Sequence, residues 1–365
     1  MTTLAALDLS IEKVEESRLP NMDFDNLTFG RAYADHMFIT DYDGTAWVNS
    51  RIVPYGSLLM SPATSALHYG QAIFEGLKAY RNEAGQVMVF RPDENLKRLN
   101  KSAVRMCMPE LPEEIYFQAL NELLRLDAGW IPQKQGMALY IRPFMFATDA
   151  YVGLQPSLTY RFMIFCSPVG AYYKEPVRVK IETHYTRAVA GGTGFAKAAG
   201  NYAGSLYPAK LAQQQGYHQL IWTDAITHSY IEEAGTMNVM FVLGDTLVTP
   251  PAGDTVLSGI TRKSVLTLVK DWGVRVEERR VSVREVIDHL EAGTLKEAFG
   301  VGTAATISPI CLIGFDGRDY EIPVGSTEAH LSVRILQTLN DIRYGRIPDT
   351  YQWVHLIQTA APALS

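Results

Sequence analysis

Strand-like and helix-like segments do not alternate along this chain, and that irregular order is the strongest constraint on what it can fold into. In the first half, DHMFITDY and TAWVNSRIV flank an Asp43-Gly44 turn and read as strands of a meander over 35–60. Behind Pro92 the period changes. Leu96, Leu99, Ala103 and Met106 fall at helical spacing with Asp93 as the expected N-cap, and PEEIYFQALNELLRL predicts a second helix. The β-rich runs MALYIRPFMFAT (137–148) and YRFMIFCSPVG (160–170) read as central strands. The second half mixes strands (VRVKIET, HQLIWTD, NVMFVLG, RVEERRV, LKEAFGVG) with helices near 202–215, 262–272, 283–291 and 326–343. A doubly wound sheet demands strict alternation, so the order points to an α+β or mixed α/β fold with a barrel-like mixed sheet. At 365 residues the chain is too long for one typical core. Turn signals in GAYYKEP place the boundary: a smaller N-terminal α/β domain at 1–169, a linker at 170–178 and a larger C-terminal domain at 179–365.

Composition removes several classes of function. A net charge of -6 and a pI near 5.8 leave no basic stripe to follow a phosphate backbone, so nucleic acid is not an expected partner. Cys107, Cys166 and Cys311 are far apart and have neither zinc spacing nor a disulfide framework, so no metal site is expected and a reducing compartment suits them. The N-terminus, MTTLAALDLSIEKVEESRLP, lacks the basic and long apolar regions of a secretory signal and is too acidic for a transit peptide. No run of eighteen apolar residues occurs, which excludes a helical membrane span and makes a cytoplasmic location the expectation.

The densest chemical signal is GGTGFAKAAGNYAGSLY (191–207), where five glycines and four alanines surround a single lysine, Lys197. Such a stretch is commonly a small-residue connection with a solvated lysine. It also suits a Schiff-base lysine, since small residues let the backbone close on a bulky ligand while desolvation makes the amine nucleophilic. The segment lacks P-loop spacing, and no Gly-x-Gly-x-x-Gly joins a strand to a helix ahead of an acidic residue, which disfavours a nucleotide site. Further on, Glu233 precedes a Gly-Thr turn and a strand, and Ser258-Gly259-Ile260-Thr261 leads into a helix. Backbone N–H groups at a helix start can hold phosphate, although an ordinary N-cap accounts for the same pattern.

Taken together, Glu233-x-Gly-x-x-Asn238, Leu247-x-Thr249 and Leu257-x-Gly259-Ile260-x-Arg262 resemble the signature of the class IV aminotransferases, the fold type IV pyridoxal-phosphate enzymes. Met240 departs from the Phe or Tyr usual there. The resemblance runs from about Phe29 to the C-terminal helix and narrows to the branched-chain aminotransferases. LHYGQAIFEGLKAYR, NLKRLNKSAVRMCMPEL, LYIRPFMF, GGTGFAKAAGNY, EEAGTMN and GTAATISP are similar to that group's blocks. Ala305 and Ser308 stand where some mammalian members carry a Cys-x-x-Cys, so no thiol switch is expected there.

The resemblance implies a two-domain enzyme with pyridoxal 5'-phosphate as cofactor, moving the amino group of L-leucine, L-isoleucine or L-valine to 2-oxoglutarate, with L-glutamate formed. Lys197 would carry the cofactor and shuttle the proton, Glu233 would pair with the pyridine nitrogen, and Tyr202 would bond the phenolic oxygen. The phosphate would be held by Arg98, by Gly259, Ile260 and Thr261, and by the Thr303 turn. Arg98, between Leu96 and Leu99, could equally be a snorkelling surface arginine. Phe29, Phe74, Tyr140 and Tyr172 would form an apolar cup with Lys78 and Arg142 behind, while Thr236, Ala304 and Ala305 would meet the substrate carboxylate. Positions matching Tyr69, Val152 and Leu154 reach in from a neighbouring subunit in the family, so a homodimer is implied. A D-amino-acid aminotransferase or an aminodeoxychorismate-lyase-like enzyme would share Lys197 and Glu233. A non-catalytic member of the fold is a third reading, against which intact Lys197, Tyr202 and Glu233 speak.

Overall fold

The computed structural model describes residues 8–358 except 171 and 174; the start of the N-terminal segment, two positions of the expected linker and the last seven residues lie outside the described residues. The chain divides into two compact units, one of 1–172 with 341–365 and one of 173–340.

The first unit is built on one large sheet. Its strands are β1 (Ser10–Ile11), β2 (His36–Tyr42), β3 (Trp47–Pro54), β4 (Ala72–Phe74), β5 (Leu77–Arg81), β6 (Val87–Phe90), β7 (Ala138–Ala147) and β8 (Tyr160–Val169), in the spatial order β1-β3-β2-β8-β7-β5-β6, with β4 paired to β7. The two ten-residue apolar runs, β7 and β8, lie antiparallel at its centre. Both faces of β7 are covered, which is why its sequence is nearly continuous in apolar residues rather than alternating. Helix α1 (Ser65–Tyr69) precedes β4, and α2 (Pro92–Arg105) and α3 (Glu113–Leu126) follow β6. Helix α2 buries Leu96, Leu99 and Ala103 as its spacing predicts. Its N-cap is Arg91, not Asp93. Pro92 at the first helical position has no N–H to orphan and a preset φ, so it starts the helix and leaves Asp93 in the first turn, where its charge suits the helix dipole.

The second unit contains a closed barrel. Its strands are β9 (Val177–Ile181), β10 (Gln219–Thr223), β11 (Tyr230–Ala234), β12 (Met237–Leu243), β13 (Thr246–Thr249), β14 (Arg275–Glu278), β15 (Val281–Ser282), β16 (Leu295–Gly302), β17 (Thr306–Phe315) and β18 (Arg318–Glu321). The path β12-β16-β17-β9-β10-β11 returns to β12 through the β11–β12 pairing, which closes six strands into a ring. Pairs β9–β10 and β9–β17 are parallel and the rest of the ring is antiparallel, so the barrel is mixed. Val179, Ile221, Val239, Phe241, Ala298 and Ile313 form part of its core. The helices are α4 (Ala199–Ala203), α5 (Leu206–Gln214), α6 (Ile260–Asp271), α7 (Val283–Glu291) and α8 (Leu331–Arg343).

Four expectations change here. The helix over 202–215 is two pieces, separated at Gly204 and Ser205. The strand RVEERRV is likewise split into β14 and β15. The last helix starts at Leu331 rather than 326, where the buried Glu297 carboxylate accepts the N–H groups of Leu331 (2.7 Å) and Ser332 (3.0 Å). Beyond α8, β19 (Val354–Ile357) pairs antiparallel with β6. Residues 341–365 therefore group with the first unit, whereas the sequence reading leaves them in the second.

Candidate active site

The Glu-x-Gly-x-x-Asn spacing is a hairpin register. Glu233 pairs across with Asn238 and Ala234 with Met237, leaving Gly235-Thr236 as a two-residue turn. Gly235 takes φ of 59° there, a conformation that favours glycine, and a Cβ would lie 2.4 Å from Gln219 Oε1. Glu233 is buried. Its Oε1 accepts the Leu257 N–H at 2.7 Å and the Asn238 Nδ2 at 3.3 Å, and its Oε2 lies 3.3 Å from Arg187 Nε. Asn238 also donates to the Leu257 carbonyl at 2.9 Å, and Gly259 is so close that a Cβ on it would fall 2.0 Å from Asn238 Oδ1. The third motif continues the same construction: buried Arg262 donates to the Pro250 carbonyl (2.9 Å) and meets Glu278 at 3.0 Å.

Lys197 lies in the small-residue loop, half-buried, with Nζ 2.7 Å from the Tyr202 hydroxyl. Asn201 fastens this loop by donating to the carbonyls of Thr193 and Ala196, both at 2.8 Å. Gly194 lets it approach the 254–255 segment: a Cβ there would stand 2.7 Å from the Asp254 carbonyl oxygen. That segment runs on to Leu257, the donor to Glu233, so the lysine loop and the glutamate hairpin share one neighbour. Helix α6 begins after Gly259 without a side-chain cap, and Ile260 and Thr261 are buried in its first turn. The turn holding Thr303, Ala304 and Ala305 ends at Thr306, whose φ of 65° is uncommon for a β-branched residue and is the kind of strain that collects at ligand sites. Thr236 is exposed at the hairpin tip.

Within the first unit, Phe29, Phe74, Tyr140, Arg142 and Tyr172 form one cluster. The Phe29 ring packs edge-on against Tyr140 (5.1 Å) and Tyr172 (5.0 Å), and the Arg142 guanidinium lies over Phe74 (4.8 Å) and Tyr140 (5.2 Å). Arg142 also donates to the Tyr140 hydroxyl at 3.0 Å. Burial, with Tyr140 adding to it, raises the Tyr172 phenol above its usual range. Lys78, cross-strand from Tyr140, is buried, and burial with the charge of Arg343 lowers its amine to about 7. Arg98 is not a snorkelling surface residue: its Nε and Nη2 hold the two oxygens of fully buried Glu75 at 2.7 and 2.8 Å. Tyr69, Val152 and Leu154 stand out in solvent, Leu154 at 87% exposure.

Sequence reasoning passed over Glu75, Arg187 and the bonding role of Asn238. Asn238 was within reach, because its spacing from Glu233 is a hairpin register. No local pattern marks Arg187, whose partner lies 46 positions away.

The model of the amino-transferase class IV family matches residues 72–313. A branched-chain-amino-acid transaminase 1 of Bacillus subtilis is 45% identical over 333 residues, covering 90% of this chain and 93% of the relative. Among solved structures, the branched-chain aminotransferase of Thermoproteus uzoniensis with norvaline superposes with a TM-score of 0.74 at 28% identity, covering 88% of this chain and 100% of that one. A T.th. branched-chain amino acid aminotransferase complexed with N-(5'-phosphopyridoxyl)-L-glutamate gives 0.70 at 26% identity, covering 88% and 98%. With Lys197, Tyr202, Glu233 and the Gly259 helix start in one unit of the same fold, the chain belongs to the branched-chain group of the class IV aminotransferases.

Proposed function

We propose that this enzyme reversibly transfers the amino group of L-leucine, L-isoleucine or L-valine to 2-oxoglutarate, forming L-glutamate. The names of the relatives support the branched-chain donors, and the phosphopyridoxyl-glutamate held by the T.th. enzyme supports glutamate as the other partner. The residues present fit pyridoxal 5'-phosphate: a buried carboxylate for a ring nitrogen, a lysine beside a phenol, and an uncapped helix start for a phosphate. When bound, that group supplies the sink for the electron pair that develops at the substrate Cα.

The observation that carries the reading is the 2.7 Å approach of Lys197 Nζ to Tyr202 in a chain of this family. Lys197 would hold the cofactor and then move the proton between the substrate Cα and C4′ of the cofactor. Tyr202 positions that amine and the ring's phenolic oxygen. Glu233, fixed by Leu257, Asn238 and Arg187, keeps negative charge against the ring nitrogen without having to reorganise. Gly259, Ile260, Thr261, Thr303 and Arg98 would bind the phosphate, with Thr236 among the other cofactor contacts, and Glu75 sets the Arg98 guanidinium plane. Thr236, Ala304 and Ala305 meet the substrate carboxylate. Phe29, Phe74, Tyr140 and Tyr172 receive the aliphatic side chain, and Arg142 the distal carboxylate of glutamate.

A homodimer and a cytoplasmic location belong to the same proposal. The segment starting at α1 is tied to the 149–157 loop by Ser65 N–H to Asp149 O (2.8 Å) and Ser157 N–H to Gln71 Oε1 (3.2 Å). Exposed Leu67, Tyr69, Val152 and Leu154 therefore sit on adjoining segments, the kind of apolar patch a partner subunit covers. The cysteines are unpaired, in keeping with a reducing compartment, and among the described residues no helix is long and apolar enough to cross a membrane.

Borohydride reduction of the loaded enzyme followed by peptide mapping should place the pyridoxyl group on Lys197. Steady-state kcat/KM should be far higher for L-leucine than for L-aspartate, whose side chain would lose water inside an aromatic cup. Label on another lysine defeats the site assignment, and comparable values for the two donors defeat the substrate assignment. Sedimentation of the active species reads the dimer directly.

A further inference from the structure

Two successive glutamates of β11 are both buried, Glu232 at 7% exposure and Glu233 at 4%. A regular strand sends neighbouring side chains to opposite faces. Here the register of β11 against β10 slips between Trp222 and Thr223, and both carboxylates come under the field of one guanidinium, that of Arg187. Arg187 is already committed. Its Nε makes a 3.3 Å ion pair with Glu233 Oε2, at an angle outside hydrogen-bond geometry, and its Nη2 donates to the Thr255 carbonyl.

Glu232 has a different environment. Its Oε2 is buried without a hydrogen bond among the described residues. The groups that face it are the Thr255 hydroxyl, Arg187, Glu233 and Asp224. Asp224 adds negative charge: burial opposes its ionisation, but the N–H groups of Thr227, Tyr230 and Ser229 outweigh that and bring it down to about 2. Glu232 and Glu233 thus share one arginine, with the negative charge of Asp224 beside Glu232. A buried carboxylate without a counter-ion takes up a proton rather than stay charged.

We propose that Glu232 is a proton-holding positioning residue for Glu233, a carboxylic acid while Arg187 is paired with Glu233, which ionises when a cationic ring is brought against Glu233. This rests on the reading of Glu233 as the partner of the cofactor's ring nitrogen. Burial pushes the Glu232 carboxyl above the usual carboxylate range, against the pull of Thr255 and Arg187. While Glu232 is neutral it does not compete with Glu233 for Arg187, which holds the Glu233 carboxylate in place before the cofactor arrives. On loading, the O–H bond of Glu232 breaks, its proton passes to solvent, and the new negative charge is balanced by the ring's positive one.

The test is a calorimetric titration of the apoprotein with pyridoxal phosphate in two buffers of different ionisation enthalpy, which counts protons. At mildly acidic pH, where a carboxyl held above its usual range keeps its proton, wild type should release more protons than Glu232→Gln. Equal counts overturn the proposal. Should Glu232→Gln not fold, infrared difference spectroscopy on wild type serves: loading should remove a protonated-carboxyl C=O band, and an apoprotein without that band overturns the proposal equally. Failure of the underlying reading has its own signature, since Glu233→Gln would then load with wild-type affinity and visible absorption whatever Glu232 does.

Discussion

Replacing Gly259 by alanine tests whether the three signature blocks form one mechanical unit. The added Cβ would fall 2.0 Å from Asn238 Oδ1 and 3.2 Å from Arg262 Cβ, so Asn238 must move. Its side chain is buried, and moving it gives up the bonds to the Leu257 carbonyl and to Glu233. Two net hydrogen bonds at about 1 kcal/mol each, plus about 1–3 kcal/mol for overpacking, predict a loss of about 3–5 kcal/mol. In a protein of 365 residues that is a fall in melting temperature of about 4–7 °C. Because Asn238 and Leu257 fix Glu233, the affinity of the apoprotein for pyridoxal phosphate should fall as well. Gly200→Ala is the contrast: it sits in helix α4 with nothing within 4 Å of the new Cβ and an unstrained backbone, and should be neutral or stabilising by about 0.5–1 kcal/mol. Thermal melts and cofactor titrations of the two variants decide the matter. A Gly259→Ala protein that melts with the wild type and binds cofactor equally would refute the coupling.

Glu297→Ala should cost about 2–4 kcal/mol, since it strips a charged acceptor from the first N–H groups of α8, and a denaturant melt reads the loss. Lys78→Met should stabilise the protein more at pH 7 than at pH 10. Burial depresses the folded-state value to about 7 from 10.5, so the folded state binds that proton more weakly and stability is lost as pH falls across this window. The full effect is on the order of 4 kcal/mol, and a stability gain in the variant that does not shrink as pH rises would count against the burial argument.

What could be read from the sequence was whatever has a local cause. The central strands β7, β8 and β12 are continuous apolar runs because both their faces are covered, and α2 shows its buried stripe at helical spacing. The motif around Glu233 was legible for a related reason: a two-residue turn fixes which residue faces which, so the spacing to Asn238 is the pairing itself. Local rules misjudged the start of α2, where Pro92 competes with Asp93 and its missing N–H decides.

The remainder has causes far away in the chain. Helix α8 starts where it does because Glu297, 34 positions upstream, offers its carboxylate to Leu331, and nothing in the sequence around 326–331 carries that instruction. Segment 341–365 groups with the first unit because β19 finds an edge at β6. The site divides along the same line. Lys197 and Glu233 could be named from motifs, but Arg187 could not, since an arginine in a Thr-Arg-Ala stretch looks like any solvated one. Only the closed barrel makes it the counter-ion of two buried glutamates. A motif therefore names the group that acts on the ring, while the groups that set its charge are chosen by the fold. Variation among relatives at Arg187 and Glu232 should for that reason alter the proton balance of cofactor binding while leaving the identity of the reaction unchanged.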